Sequence, residues 1–383
     1  MISIWSIFVT IIISNLLVVL FCFLSKKTSY IKMLGIPVLL TLLLMIIVRI
    51  LIPMEFPYTK VFFSTNLLPK IDTFLRTPLS TVLNLENINL FSIIGAVWFT
   101  GIVVSIIRLL RNEHYLKRSF EFCSIKTDID KDAFLKVAAE DKIPRRLKII
   151  ETSAISIPMI FGFISPTIVF PISNFTSEEQ YFILKHELKH YHNKDIWVKT
   201  LIELICAIYW WNPFVYNLRR RSDSILEMNV DLSLSKTWEE TKRLRYLEFL
   251  LNTYKKSQLS KRKLIHGTLG IVDSNNQSEI VRRFELLFPH EKLRYSNVRL
   301  FIASIVSVVI LLFSFSCIVQ PQYSLPSDRE PDLVALTPDT AYLVKMPDGQ
   351  YDVYLHNAGY LTTIKGLEEP YKNLPIKERE ERK

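Results

Sequence analysis

Four long stretches of the chain carry no charged side chain, and each is close to the length needed to cross a lipid bilayer. They cover residues 1–25, 33–48, 88–107 and 300–319. A transmembrane helix needs about 20 mostly apolar residues. We therefore predict transmembrane helices at about 3–24, 33–53, 88–108 and 299–319. The first stretch lacks the basic start and small-residue cleavage site of a signal peptide, so a retained helix is favoured over a cleaved leader.

Basic residues flank these stretches unevenly, and this asymmetry predicts the orientation of the chain. The loop from Lys26 to Lys32 holds three lysines and no acid, and Arg108 and Arg111 follow the third stretch. Basic loops stay on the cytoplasmic side. We predict a multi-pass protein of the bacterial plasma membrane, with residues 112–298 cytoplasmic and both termini extracellular. Because the net charge of +10 clusters beside the bilayer, it indicates lipid contact, and direct nucleic-acid binding is not expected.

The uncharged stretches also divide the chain into regions. We predict a membrane region at 1–111, a soluble domain at 112–298, the fourth helix at 299–319 and a short extracellular tail at 320–383. Alternating apolar residues around PDGQ and HNAG predict a small β meander at 341–364. The apolar stretch 196–209 is predicted to be a core or interfacial helix, not a fifth crossing. The cysteines are dispersed and predict no disulfide or cysteine–metal site: Cys22, Cys123, Cys206 and Cys317.

The soluble domain contains the motif H-E-x-x-H, at residues 186–190. His186 and His190 are four residues apart and project from one helical face. Two imidazoles there can occupy two positions of a tetrahedral zinc, with Glu187 as a general base toward the water that the metal activates. A solvated helix with two surface histidines is the alternative, since five residues can match by chance. Ser177 with Gln180 predicts a capping box at the start of this helix, and His192 is predicted to be a surface residue.

Other residues of this domain fit around such a site. Glu227 lies on a later helix and offers a third ligand, and Asp231 one turn further can accept a hydrogen bond from a ligand histidine. Asp195 is predicted to support the site from behind the ligands. Prolines break residues 157–173 into short strands. We predict that an edge strand binds a peptide substrate by β-strand addition, and that it consists of Thr167, Ile168, Val169 and Phe170.

Together these motifs resemble those of the integral-membrane zinc metallopeptidases typified by the bacterial beta-lactam sensor-transducers. The resemblance covers the four-helix layout and most of residues 112–320. Its motifs are P-x-x-x-G-x-x-x-P-x-I-x-x-P at 158–171, H-E-L-x-H followed by Asp195, W-N-P at 211–213 and E-x-x-x-D at 227–231. It implies a mainly α membrane protein with a gluzincin-like α+β cytoplasmic domain. That domain would hold one zinc ion through His186, His190 and Glu227, with Glu187 as the base.

The resemblance also implies self-cleavage before the last span and relief of a transcriptional repressor. The candidate self-cleavage loop contains Val272, Asp273, Ser274 and Asn275; a plain surface loop is the alternative. Two features depart from the family. Asn229 and Val230 stand where it often has a small residue and a cysteine, but neither is a ligand. The tail has no S-x-x-K, so acylation by a beta-lactam is not expected.

We therefore predict a membrane zinc endopeptidase that acts in signalling on a protein or peptide substrate. A membrane-protein quality-control protease stays open, because such proteases also pair H-E-x-x-H with a later E-x-x-x-D. A non-catalytic membrane receptor or scaffold is the alternative of a different class, and Glu187 argues against it, because a purely structural metal site needs no base. A homodimer is also left open.

Overall fold

The computed structural model describes residues 3–77, 89–123, 130–173, 175–236, 238–261, 276–287, 297–322, 336–346, 349–356, 359–366, 371–372 and 374–377. The chain divides into two compact units, Met1–Pro321 and Gln322–Lys383. The helices described in the first unit are α1 (Ile4–Lys26), α2 (Thr28–Leu34), α3 (Ile36–Leu51), α4 (Leu67–Arg76), α5 (Leu90–Cys123), α6 (Lys131–Glu140), α7 (Ser177–His192), α8 (Asp195–Ile208), α9 (Pro213–Ser235), α10 (Glu240–Lys261), α11 (Asn276–Leu287) and α12 (Asn297–Ser314). Its strands are β1 (Lys60–Ser64), β2 (Lys148–Thr152), β3 (Met159–Phe161), β4 (Thr167–Pro171) and β5 (Cys317–Pro321).

Two helices within the described ranges, α1 and α5, are long and apolar enough to cross a membrane, and the pair α2–α3 is a third candidate. This pair bends by 93° at Gly35, whose φ of 89° is one that a side chain would disfavour. Helix α3, Ile36–Leu51, lies within the helix predicted at about 33–53 and begins directly after this bend. The helix predicted at 299–319 is α12, which ends at Ser314 because residues 317–321 pair as strand β5.

Strands β1 and β5 pair in parallel, with Lys60 opposite Cys317. Beside them, Arg49 of α3 is buried. Its guanidinium donates to Thr10 Oγ1 of α1 at 2.5 Å and to the Ser314 carbonyl at 3.4 Å, and it lies 4.3 Å from the ring centre of Phe315. One cation therefore holds together the ends of α1, α3 and α12 next to the strand pair.

Helices α8 and α9 form a hairpin, residues 195–235, that packs among the membrane helices. At its tip, the Asn212 amide donates to Asn15 Oδ1 of α1 at 2.8 Å, and the Tyr209 hydroxyl donates to the Ile50 carbonyl of α3 at 3.3 Å. Asn212 also accepts the Phe214 N–H and so caps α9. On another side, the Trp98 indole of α5 donates to the Ile208 carbonyl at 2.9 Å. The W-N-P motif thus anchors the hairpin to the membrane helices.

Residues 148–171 contain a three-stranded sheet of order β2-β4-β3, in which β3 runs antiparallel to β4. Strand β4 lies in the centre, and all five of its residues are buried. The prediction that residues 167–170 form an edge strand was therefore wrong, because β2 and β3 cover both edges. Among the described strands, β3 (Met159–Phe161) pairs only with β4, so its other side is an edge of the sheet.

Helix α7 packs on this sheet and begins at a capping box one residue earlier than predicted. Thr176 Oγ1 accepts the Glu179 N–H at 3.2 Å, and Glu179 Oε2 accepts the Thr176 N–H at 2.9 Å. The predicted pair, Ser177 and Gln180, was wrong because Glu179 supplies the carboxylate that a helix N-terminus favours. The buried face of α7 holds Phe182, Leu184 and Leu188 and packs against Ile168, Phe170 and Tyr246.

The second unit contains a small sheet of order β8-β7-β6-β9, with β6 (Ala341–Lys345), β7 (Tyr351–Leu355), β8 (Gly359–Ile364) and β9 (Ile376–Lys377). Strands β6, β7 and β8 are antiparallel neighbours, which is the meander predicted at 341–364. Its core is small and consists of Ala341, Leu343, Val353 and Leu374. Across the strands, the rings of Tyr342 and Tyr354 stack at 5.6 Å and brace the sheet.

Candidate metal centre

Three side chains predicted as ligands converge at one point between α7 and α9. His186 Nε2 lies 3.2 Å from Glu227 Oε2, His190 Nε2 lies 3.3 Å from Glu227 Oε1, and the two Nε2 atoms are 3.1 Å apart. Zinc bonds of about 2.0–2.2 Å at tetrahedral angles place donor atoms about 3.3–3.6 Å apart. The three residues therefore have the spacing and chemistry to hold a metal ion.

The remaining nitrogen of each histidine is fixed by a hydrogen bond. His190 Nδ1 donates to Asp195 Oδ2 at 2.7 Å. His186 Nδ1 donates to the Tyr246 hydroxyl at 2.8 Å, which in turn donates to Asp231 Oδ1 at 2.6 Å. Both Nε2 atoms therefore face the Glu227 carboxylate, and a proton or a metal ion must lie between these groups to make their approach favourable.

The electrostatics of these three side chains agree with this. Burial lowers the pKa of His190, but the negative charge of Glu227 and the hydrogen bond to Asp195 outweigh it and raise the pKa to about 10. Burial likewise raises the pKa of Glu227, yet His190 and Lys199 hold that pKa well below its usual range. The protein therefore places negative charge where a cation is needed, and a metal would displace the proton from His190.

Glu187 lies beside the three ligands in the wall of a cavity of about 400 Å³. Edge strand β3 forms one side of this cavity, through Met159 and Ile160. Helices α10 and α11 form another side with, among others, Phe249, Leu250, Ile280 and Arg283. Glu187, the three converging side chains and strand β3 thus share one cavity, which residues 167–170 do not line.

Two residues that the sequence analysis did not assign complete the support of the ligands. Tyr246 of α10 is fully buried; burial and Asp231 raise its pKa well above the ordinary value, so the phenol keeps its proton. Arg283 of α11 donates from Nη2 to Asp231 Oδ1 at 2.9 Å and lies 3.8 Å from Glu227 Oε2. Asp231, predicted to contact a histidine directly, is 3.6 Å from His186 Nδ1 and acts through Tyr246.

Other predicted residues lie away from the ligands or outside the described residues. Asp195 is buried and supports His190, as predicted. His192 is exposed, and its Nε2 bonds to the Lys142 carbonyl at 2.9 Å. The candidate self-cleavage loop, Val272, Asp273, Ser274 and Asn275, falls outside the residues that the structure describes; α11 begins directly after it, at Asn276.

Comparison with known proteins identifies the family of the chain. Residues 2–287 match the family described as BlaR1 peptidase M56. A stretch of 161 residues, 41% of this chain, is 27% identical to the regulatory protein BlaR1 of Bacillus licheniformis and covers 26% of that protein. A stretch of 110 residues, 28% of this chain, is 28% identical to the methicillin resistance protein MecR1 of Staphylococcus aureus and covers 19% of it.

The aligned segments span about a quarter or less of these curated relatives. The family match, in contrast, covers about three quarters of the chain and includes helices α1 to α11, the three converging side chains and Arg283. The motifs, the arrangement of the site and this match agree on one assignment. The chain is a membrane protein that belongs to the BlaR1 peptidase M56 family of signal-transducing metallopeptidases.

Proposed function

We propose that the chain is a zinc endopeptidase that cuts a protein substrate as a step in transmembrane signalling. The observation that carries the proposal is the meeting of His186, His190 and Glu227 with Glu187 and the free edge of β3 in one cavity. A scaffold or receptor that used metal only for structure would need neither a base nor a substrate edge.

The residues divide the chemical work among them. A zinc ion held by His186, His190 and Glu227 would supply Lewis acidity, which polarises the scissile carbonyl and lowers the pKa of water toward about 7. Glu187 takes the proton from the attacking water and returns it to the amine that leaves. Asp195 and the pair Tyr246–Asp231 keep both imidazoles in the tautomer that turns Nε2 to the ligand position. Strand β3 aligns the peptide by main-chain hydrogen bonds.

The signalling part of the proposal rests on the relatives and on the topology predicted from charge. We propose that the domain around the site faces the cytoplasm, that both termini lie outside, and that the substrate is a transcriptional repressor. Self-cleavage at residues 272–275 belongs to the same proposal, because α11 follows that segment and carries Arg283 into the site. A homodimer is compatible with the proposal but is not required by it.

The test uses the full-length chain in lipid nanodiscs. Zinc content is measured by mass spectrometry, and cleavage is followed with a peptide library and with purified small repressors of the same genome. Glu187→Gln should keep zinc and lose about 10²–10⁴-fold in cleavage rate, since only the base is removed. His190→Ala should lose both. Equal cleavage by wild type and Glu187→Gln, or wild type without bound zinc, would refute the proposal.

A further inference from the structure

A second cavity of about 330 Å³ lies next to the last turn of α7, and its lining is strongly basic. It is formed by Lys142, Arg145, Arg146, Tyr191, His192 and Ile164, together with Ile143 and Pro144. Among the described residues, no carboxylate pairs with the three cations. The acids just before them in the chain are Glu140 and Asp141, which form salt bridges with Lys185 at 2.9 and 2.6 Å. The cavity therefore carries uncompensated positive charge that suits an anion.

An apolar ridge borders this cavity. Ile164, which is also one of its lining residues, is 77% exposed. The ring of the preceding residue, Phe163, packs at 4.6 Å on the ring of Trp197, which is itself 57% exposed. Large apolar side chains that stand free beside basic groups are typical of surfaces that enter the headgroup region of a membrane.

The depth of Trp197 can be read from the helices that it neighbours. Near the hairpin tip, Trp98 of α5 is bonded to the Ile208 carbonyl of α8. The apolar part of α5 ends at Arg108. The distance along the helix from Trp98 to that residue is about ten residues, or about 15 Å. From Ile208 back to Trp197 is about eleven residues, or about 16 Å. Because α5 and α8 lie side by side, Trp197 lies near the basic end of the span, where the headgroups begin.

We propose that this face, made of Lys142, Arg145, Arg146, Ile164 and Trp197, rests on the anionic phospholipid headgroups of the leaflet on the metal-site side. The cavity takes a lipid phosphate, and Ile164 and Trp197 enter the interface beside it. Tyr191 and His192 belong to the helix that carries His186 and His190, so the contact also sets the height of the metal centre above the bilayer. This inference does not depend on peptidase activity.

The test places an environment-sensitive fluorescent amino acid at position 164 of the full-length chain. The protein is reconstituted in nanodiscs of phosphatidylcholine alone or mixed with phosphatidylglycerol, each with a doxyl-labelled lipid as quencher. Position 244 is the control, because Leu244 is also apolar and 50% exposed but lies on α10. Quenching at 164 should exceed that at 244 by about twofold or more, and should be strongest with phosphatidylglycerol.

Charge variants identify the groups responsible. Lys142→Gln/Arg145→Gln/Arg146→Gln should abolish the effect of phosphatidylglycerol on position 164. The matched control Lys131→Gln/Lys136→Gln/Lys236→Gln removes the same charge from exposed lysines elsewhere and should leave it unchanged. Equal quenching at positions 164 and 244 would overturn the proposal. Quenching at position 164 that is the same with and without phosphatidylglycerol would also overturn it. If polyglutamate, added in place of lipid, shielded the probe at position 164 from solvent, the surface would be assigned to an acidic protein. This result would also overturn the proposal.

Discussion

Tyr246 and His186 lie 60 residues apart in the chain, yet the Tyr246 hydroxyl is 2.8 Å from His186 Nδ1 and passes that hydrogen bond on to Asp231. The contact sets which imidazole nitrogen faces the ligand position. It also joins α10 to the metal centre, although α10 supplies none of the three converging groups. We therefore expect the metal affinity of the site to depend on a residue outside the H-E-x-x-H motif.

Removal of this hydroxyl should weaken metal binding without unfolding the protein. We expect Tyr246→Phe to lower zinc affinity by about 10–100-fold, the usual effect of losing a partner behind a ligand histidine. Competition with a chromogenic chelator measures it. Tyr191→Phe is the control, because it also removes a tyrosine hydroxyl, in this case from α7 itself. It should keep the wild-type zinc affinity. Equal affinities in the two variants would contradict the role of Tyr246.

Asp195 should show a graded effect, because its carboxylate both accepts a hydrogen bond and carries charge. Asp195→Ala removes the acceptor of the His190 Nδ1–H at 2.7 Å and should cost about 10–100-fold in zinc affinity. Asp195→Asn keeps an oxygen acceptor and should recover part of the loss. The same chelator titration measures both. If Asn were as damaging as Ala, charge alone would explain the effect and the tautomer argument would fail.

Substrate binding along β3 should leave a signature with a period of two residues. A peptide that adds to a strand edge points alternate N–H groups at its partner. N-methylation at successive positions of one cleaved peptide should therefore raise KM at every second position. The measurement is a kinetic scan of the methylated series, with kcat recorded separately. A flat or irregular profile would exclude strand addition at Met159–Phe161.

The hydrogen bond between Asn15 and Asn212 should contribute to stability inside the membrane. Asn15→Ala should lower the free energy of unfolding by about 0.6–2 kcal/mol, since it leaves the buried Asn212 amide without its acceptor. Unfolding in mixed detergent micelles gives the value. Ser14→Ala is the control: Ser14 is buried, its hydroxyl has no partner in the described chain, and its loss should cost little.

Asp223 of α9 should make stability depend on pH. Burial raises its pKa to about 6, although Lys199 opposes this, whereas an unfolded Asp titrates near 3.9. Between these values the folded state binds a proton that the unfolded state has lost, so stability falls as pH rises from about 4 to 6. Asp223→Asn should therefore exceed the wild type in stability at pH 7–8 and match it near pH 4. A constant difference across that range would contradict the argument.

Helical spacing predicted which candidate residues share a face of one helix, and the resemblance to the sensor-transducers implied that the two helices hold one metal together. His186 and His190 share a face by their spacing, and Glu227 with Asp231 by theirs. Tyr246 and Arg283 carry no comparable signal. Each lies alone on its helix, and only the packing of α10 and α11 against α7 and α9 brings them to the site. A fully buried tyrosine between charged neighbours cannot be recognised from local pattern.

The wrong prediction that residues 167–170 form an edge strand has a different cause. The prolines at 158, 166 and 171 indicated short strands but not their order. The order depends on contacts between segments distant in sequence, since β2 pairs with β4 across the loop that contains β3. The unbroken apolar run T-I-V-F was the available signal, because a strand covered on both faces loses its alternation. Similarly, the apolar stretch 300–319 could not show that its last residues pair with Lys60–Ser64.

That pairing of β1 with β5 changes what a cut in this protein would accomplish. In sequence, the two strands flank helices α4 to α12, and Lys60 lies opposite Cys317. A break anywhere between them, for instance at residues 272–275, would leave two fragments that are still held together by the paired strands and by the contacts of Arg49. Neither fragment would therefore dissociate after such a cut. The cut would release the new chain ends on either side of the break and let the helix that bears Arg283 withdraw from the candidate metal site while the two fragments stay associated.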